Sequence, residues 1–300
     1  IEAASMERAL ATGRRVKLNQ VGLFADGVAV AQVGKEPFRV ARKCVDEVIL
    51  VSTDEICAAI KDIYDDTRSI AEPAGALGVA GMKAYVERER TKGKTLVAID
   101  CGANVNFDRL RHIAERAEIG EHREALLAVT IPEEPGSFRR FCDVIGTRSV
   151  TEFNYRYSDD QAAYIFVGVE LRNGERDKKE LVRLLKKNRY PVIDMTDNEL
   201  AKLHIRYMVG GRAQALKDEK LYRFEFPERP GALLNFLNNM GESWNISLFH
   251  YRNHGNAFGR VLVGMQVPRK EEAKFKAFLR TVGYRSSDET ANPAYDLFLK

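Results

Sequence analysis

The sequence predicts an α/β chain in two parts: an amino-terminal stretch alternating strands and helices in the manner of a parallel sheet, then two copies of a small α+β unit. Three observations predict it. Short continuous apolar runs at Glu47-Val-Ile-Leu-Val-Ser52 and Thr95-Leu-Val-Ala-Ile-Asp100 are bounded by polar residues and lie between amphipathic stretches, the pattern of strands buried on both faces. The segment Thr130-Ile-Pro-Glu-Glu-Pro-Gly-Ser-Phe-Arg-Arg-Phe141 recurs about 95 residues later as Glu225-Phe-Pro-Glu-Arg-Pro-Gly-Ala-Leu-Leu-Asn-Phe236. Each copy has a second match downstream, Phe153-Asn-Tyr-Arg156 and Phe249-His-Tyr-Arg252, so the register holds, apart from one inserted residue, across a turn, a helix and a strand.

In the first part, Ser5 to Thr12 reads as a short helix, and Thr53 to Tyr64 and Ala74 to Arg90 as longer ones, each with apolar residues at three- and four-residue intervals. Ser52, Thr53 and Asp54 are available as caps for the second. From Glu124 the pattern changes. Glu124 to Thr130 is a strand, Pro135-Gly136 opens a helix to about Ile145, Ser149 to Tyr157 and Ala162 to Leu171 alternate as strands, Asp177 to Lys187 is a second helix, and Tyr190 to Asp194 closes the unit as βαββαβ. The second copy runs through Leu221 to Phe226, Gly231 to Met240, Asn245 to Arg252, Gly259 to Val267, Glu271 to Val282 and a last strand near Tyr284. Glu199 to Gly211, ending in Gly210-Gly211, reads as the connection between copies.

Composition narrows the function classes. Three hundred residues with 45% hydrophobic and 30% charged content are ordinary for a soluble globular chain of two or three domains. The net charge of +4 is spread through mixed-sign stretches with no basic block, which argues against a nucleic-acid partner. Cys44, Cys57, Cys101 and Cys142 have no paired spacing and fit reduced thiols in a cytoplasmic protein. No apolar run reaches the roughly 20 residues of a membrane span. The first ten residues lack an initiator Met and read as a helix already inside a fold, so a truncated start is expected.

Three motifs in the first part carry chemistry. Asp100-Cys-Gly-Ala-Asn-Val-Asn106 follows an expected strand, where open α/β sheets bind ligands; a tight turn explains the same residues and the spacing favours it. Ala71-Glu-Pro-Ala-Gly-Ala-Leu-Gly-Val-Ala-Gly81 opens a helix whose glycines suit close packing, with Glu72 placed to meet a ligand at its head. Val21 to Val30 holds Asp26-Gly27 in what reads as strand-turn chemistry. His250 and His254 have metal-like spacing without further ligands, so no metal site is expected, and Trp244 reads as packing.

In order and in detail these motifs resemble the carboxy-terminal part of the catalytic domain of the biosynthetic threonine dehydratase (threonine ammonia-lyase) family, a pyridoxal-phosphate enzyme of fold-type II. The later stretches, Glu134 to Phe138, Ser149 to Arg156, Leu203 to Gly211 and Asn245 to Arg252, resemble the two ACT-like regulatory domains of that family. The resemblance implies an incomplete catalytic domain over residues 1–117 and ACT-like domains over 118–207 and 208–300. It also implies pyridoxal 5'-phosphate as cofactor, L-threonine as substrate, isoleucine as inhibitor opposed by valine, and a cytoplasmic homotetramer.

Site residues carry over by position. Cys101 stands where the family usually has the Ser that meets the pyridine nitrogen; a neutral partner there favours β-elimination over transamination, and a thiol is the poorer hydrogen-bonding group. Glu72 and Gly27 line the cofactor and substrate side. Neither the Schiff-base Lys nor the glycine-rich phosphate loop of the family is found in this sequence, so no catalytic residue is assigned and the chain is expected to be inactive alone. In the intact family enzyme that Lys takes the α-proton of threonine, hydroxide leaves, and hydrolysis gives 2-oxobutanoate and ammonia. Phe138 and Leu233 sit at equivalent positions after the two Pro-Gly turns, where helix N–H groups can receive a carboxylate; with Tyr155, Leu234 and Tyr251 they are the expected effector-binding residues. Burial in two amphipathic helices explains the apolar ones equally well. A stand-alone amino-acid-binding regulator is the competing reading.

Overall fold

The computed structural model describes residues 1–158, 161–208, 210, 213, 216–227, 231–252 and 258–299, with the backbone alone at 252 and 258. The chain divides into two compact units, Ile1–Glu121 and His122–Lys300.

The first unit is helical among its described residues: α1 (Ser5–Thr12), α2 (Lys35–Cys44), α3 (Thr53–Thr67), α4 (Pro73–Glu89) and α5 (Phe107–Gly120). Ser52 caps α3 through a reciprocal box, its hydroxyl accepting from Glu55 N–H while the Glu55 carboxylate accepts from Ser52 N–H at 2.6 Å. Ile56, Cys57, Ile60, Ala76, Ile113 and Ala117 form the core between α3, α4 and α5. The buried Asp54–Arg116 ion pair ties α5 to α3. Both expected strands in this unit are absent. Residues 47–52 and 95–100 form no ladder, and Val97 and Ile99 are 88% and 80% exposed. A strand exists only through a neighbour, and neither run has one among the described residues. The run around Asp26-Gly27 is a single 3-10 turn, Asp26–Val28, without flanking strands.

The second unit carries the repeat. Module 1 is β1 (Glu124–Pro132), α6 (Ser137–Ile145), β2 (Val150–Arg156), β3 (Ala162–Glu170), α7 (Gly174–Lys187) and β4 (Val192–Asp194), followed by α8 (Glu199–Leu203) and a 3-10 turn at Ile205–Tyr207. Module 2 is β5 (Glu219–Pro227), α9 (Ala232–Met240), β6 (Asn245–Arg252), β7 (Phe258–Gln266), α10 (Glu272–Val282) and β8 (Arg285–Asp288), followed by α11 (Pro293–Phe298). The eight strands form one sheet, β4-β1-β3-β2-β6-β7-β5-β8, joined where β2 and β6 pair antiparallel. In that seam Phe153 lies opposite Tyr251, Tyr155 opposite Phe249, and Asn154 opposite its own counterpart His250. A pseudo-twofold axis therefore passes between Asn154 and His250. The modules share one core, with the Phe153 and Phe249 rings edge to face at 5.3 Å.

Candidate functional site

In the first unit, the head of α4 gathers the three residues expected to face a cofactor. Pro73 at the first helical position has no N–H to satisfy, and Glu72 before it is extended, as the residue preceding proline prefers. Glu72 N–H donates to the Gly102 carbonyl at 2.9 Å, and Asn104 N–H donates to the Glu72 carboxylate at 3.1 Å. A Cβ on Gly102 would lie 2.7 Å from Glu72 Cδ, so a side chain there would have to push the Glu72 carboxylate aside. A Cβ on Gly27 would lie 2.9 Å from that of Ala74 and 3.4 Å from Glu72 Oε1. Gly27, Glu72 and the 100–104 loop thus meet at one point, with Cys101 exposed on the loop. A pyridoxal ring needs a polar partner for its nitrogen and close backbone approach. The cluster offers both, and it contains neither a lysine for the aldehyde nor a run of glycine N–H groups for the phosphate. The residues fit the ring edge of such a cofactor only.

In the second unit, each module turns into its first helix through a left-handed glycine: Gly136 and Gly231 both have φ of 86°. Glu228, Arg229 and Pro230 of the second turn lie outside the described residues, as do Gly211 and His254. Phe138 is buried in the seam, 5.0 Å from Tyr155, 5.4 Å from Phe153 and 6.4 Å from Phe249 across the module boundary. Leu233 and Leu234 are half-buried against the shared core, and Tyr251 is buried within it. The Tyr155 hydroxyl donates to Glu133, and burial together with that carboxylate pushes the phenol well above its ordinary range. Asn245, opening β6 in module 2, donates to the other Glu133 oxygen at 2.7 Å and approaches Gln266 at 3.3 Å. Phe138, Tyr155, Glu133 and Asn245 are therefore brought together at module 1's turn by both halves of the repeat, whereas Leu233 and Leu234 stand beside the turn of module 2.

Sequence reasoning missed Glu133 and Asn245, and also the part of the repeat on the sheet face opposite α6, α7, α9 and α10. Asp194-Met-Thr-Asp-Asn198 and Asp288-Glu-Thr-Ala-Asn292 are a second duplicated motif. In each, the Asp accepts from the Thr N–H at 2.9 Å, the Thr hydroxyl accepts at 3.1 Å from Leu126 or Leu221 N–H, and the Asn caps α8 or α11. The stretch expected as a connection is thus the tail of module 1, matched by α11 in module 2. Beneath each tail lies a buried glutamate, Glu124 or Glu219, that accepts from a bulged hydroxyl, Thr151 or Ser247, above a glycine, Gly168 or Gly264. Arg206 reaches Glu124 and Glu152, and Arg156 reaches Glu219 across the seam.

No helix among the described residues is long and apolar enough to cross a membrane. Residues 1–102 match the family model described as pyridoxal-phosphate dependent enzyme, and residues 115–205 and 210–299 match the one described as the C-terminal regulatory domain of threonine dehydratase. The chain is 55% identical over 298 residues to L-threonine dehydratase biosynthetic IlvA of Burkholderia multivorans, covering 99% of this chain and 59% of that protein. It is 53% identical to the same-named protein of Escherichia coli, covering 99% and 58%. It is 48% identical over 312 residues to the mitochondrial threonine dehydratase of Saccharomyces cerevisiae, covering 100% and 54%. The chain thus spans between half and two thirds of the length of these relatives. With both of its units matched in order, the chain belongs to the threonine dehydratase family, joining part of the pyridoxal-phosphate domain to two regulatory repeats.

Proposed function

We propose that the chain is the effector-binding half of a threonine ammonia-lyase, converting L-threonine to 2-oxobutanoate and ammonia in the whole protein, with its first unit lining one edge of the cofactor site. The observation that carries this reading is the pair of left-handed glycine turns, Gly136 and Gly231, set on either side of a shared sheet seam and lined by aromatic and aliphatic side chains. Such a turn presents helix N–H groups to a carboxylate, and the apolar wall beside it suits a branched aliphatic side chain. Isoleucine as inhibitor and valine as its opponent fit this chemistry. They differ by one methylene, worth about 1 kcal/mol in an apolar pocket, so their opposed effects require different affinities for two states of the seam. We take 118–207 and 208–300 as the two regulatory domains, and the assembly as a cytoplasmic homotetramer.

At the cofactor edge, bound pyridoxal phosphate supplies an electron sink for the amino acid's α-carbon. Cys101 offers the ring nitrogen a neutral, weakly hydrogen-bonding partner. Glu72 holds the 102–104 backbone in place, and Gly27 leaves room against Ala74. The test joins this chain to the part of the Escherichia coli relative that it does not cover and follows 2-oxobutanoate release from threonine. Release that isoleucine suppresses and valine restores is the expected outcome; release indifferent to both amino acids would sink the effector assignment, and no release would sink the catalytic one.

A further inference from the structure

The two turns are chemically unequal, and the repeat shows where they diverge. On α6 the turn is followed by Arg139 and Arg140, where α9 carries Leu234 and Asn235. Gly146 and Gly241 end the two helices in matching conformations, with φ of 74° and 62° and ψ near −133°. The next residue is Thr147 in module 1 and Glu242 in module 2. That glutamate folds over the turn of the other module. A Cβ placed on Gly136 would meet Glu242 Cγ at 2.8 Å and Glu242 Oε1 at 3.1 Å. The same Oε1 lies 3.4 Å from Arg139 Nη2 and 3.8 Å from Arg140 Nη1, while Arg140 also binds Glu134 and, at 2.9 Å, the Ser137 hydroxyl. Around Gly231, in contrast, no described atom comes within 4 Å of an added Cβ.

We propose that Glu242 is a built-in competitor for the effector carboxylate at the turn of module 1. The inference rests on the reading of the turns as amino-acid sites. Its carboxylate holds the Arg139–Arg140 face of the first turn of α6, where a free amino acid would place its own. An effector binds there by displacing it. The side chain of Glu242 is 58% exposed and those of the arginines 34% and 41%, so the contact is a weak, solvent-screened one and readily displaced. Because the glutamate belongs to module 2 and the arginines to module 1, displacement also removes a contact across the seam, which links occupancy of this site to the pairing of the modules. In module 2 the matching positions differ in sequence: α9 carries Leu234 and Asn235 in place of the two arginines, and Thr147 of module 1 stands in place of the glutamate.

Calorimetric titration of the chain with isoleucine decides it, with Trp244 fluorescence as the check of folding. Glu242→Gln removes the competing charge while keeping size and is expected to tighten one binding step by about two- to fivefold, the range of an exposed ion pair, leaving any other step unchanged. Thr147→Glu puts an acid at the matching position of module 1, where the counterpart helix α9 carries Leu234 and Asn235 instead of the arginines, and is expected to change neither step. Unchanged or weakened isoleucine binding in Glu242→Gln, against a wild-type chain that binds, overturns the competitor and leaves the effector reading intact. No binding by the wild-type chain overturns the effector reading, and the competitor with it.

Discussion

Single residues divide by what encloses them. Cys57 and Cys142 are buried in the cores of the two units, and loss of hydration pushes both thiols up to about 12, whereas Cys44 and Cys101 are exposed. The thiolate is the reactive form, so a disulfide reagent at neutral pH is expected to modify two thiols quickly and two only as the chain unfolds. Mass mapping of the fast fraction checks it; rapid labelling at Cys142 would contradict the packing of α6. The glycines beneath the buried glutamates make a sharper case. A Cβ on Gly264 would lie 2.7 Å from Glu219 Oε1, 2.8 Å from Ser247 Oγ and 3.0 Å from Leu248 Cβ. Gly264→Ala is therefore expected to cost about 1–3 kcal/mol as an overpacking change, measured by urea unfolding, and Ser247→Ala in the same chain to recover part of it.

At the level of elements, the duplicated tail offers a quantitative comparison because its two copies differ in burial. Thr196 is buried and Thr290 only half-buried, yet each hydroxyl accepts the N–H of the third residue of its module's first strand. Replacing Thr196 by Val leaves Leu126 N–H without that acceptor in a dry site, an expected loss of about 1–3 kcal/mol in urea unfolding, with a smaller loss for Thr290→Val. The same motif sets an acid limit. Burial opposes ionisation of Asp194, but hydrogen bonds from the Thr196 hydroxyl and N–H and from Lys178 outweigh it and hold its carboxyl below the usual carboxylate range. Asp288 is lowered likewise against its own burial, by Thr290 and Tyr222. A lowered folded-state pKa gives stability that is complete above the unfolded value, near pH 4, and disappears as pH falls through the folded one. Asp194→Asn is thus expected to flatten the loss of stability below about pH 4 while lowering stability at pH 7. Much of this level was readable. The periodicity of Ser5 to Thr12 and the alternation of Asn245 to Arg252 give the observed limits of α1 and β6. Lys35–Cys44 is hard to read as a helix because Pro37 looks like a breaker, although it lies in the first turn, where proline is tolerated. Phe107–Gly120 carries a helical signal in Leu110, Ile113 and Ala117, which the turn-like residues of 100–106 just before it obscure. The runs at 47–52 and 95–100 mislead because an apolar run records only a capacity for burial in a sheet: neither has a strand beside it among the described residues, and Val97 and Ile99 stand exposed.

For the whole of the second unit, the repeat in sequence becomes a single eight-stranded sheet with one core, and this continuity governs how it unfolds. Phe153 and Phe138 of module 1 touch Phe249 of module 2, and all three belong to the same buried cluster as Phe224 and Leu181, which lie on opposite sides of the seam. The pairing of modules was not legible in the sequence, because a duplicated pattern fixes each copy and leaves open which strands meet; the aromatic pair Phe153 and Phe249, facing each other through the pseudo-twofold axis, is what chooses β2 and β6. The effector residues follow the same logic. Phe138 and Tyr155 could be named from their place after a Pro-Gly turn, whereas Glu133 and Asn245 acquire a role only when the seam sets them 2.7 Å apart. Phe249→Ala empties a site enclosed by both modules and is expected to cost about 3–5 kcal/mol. If the modules fold as one cooperative body, amide exchange will speed up equally in β1 and β5, which lie on either side of the seam two strands away from it. Faster exchange confined to β5, β6 and β7 would instead show that module 1 holds its structure alone, and the seam would then be a docking surface between two independent domains.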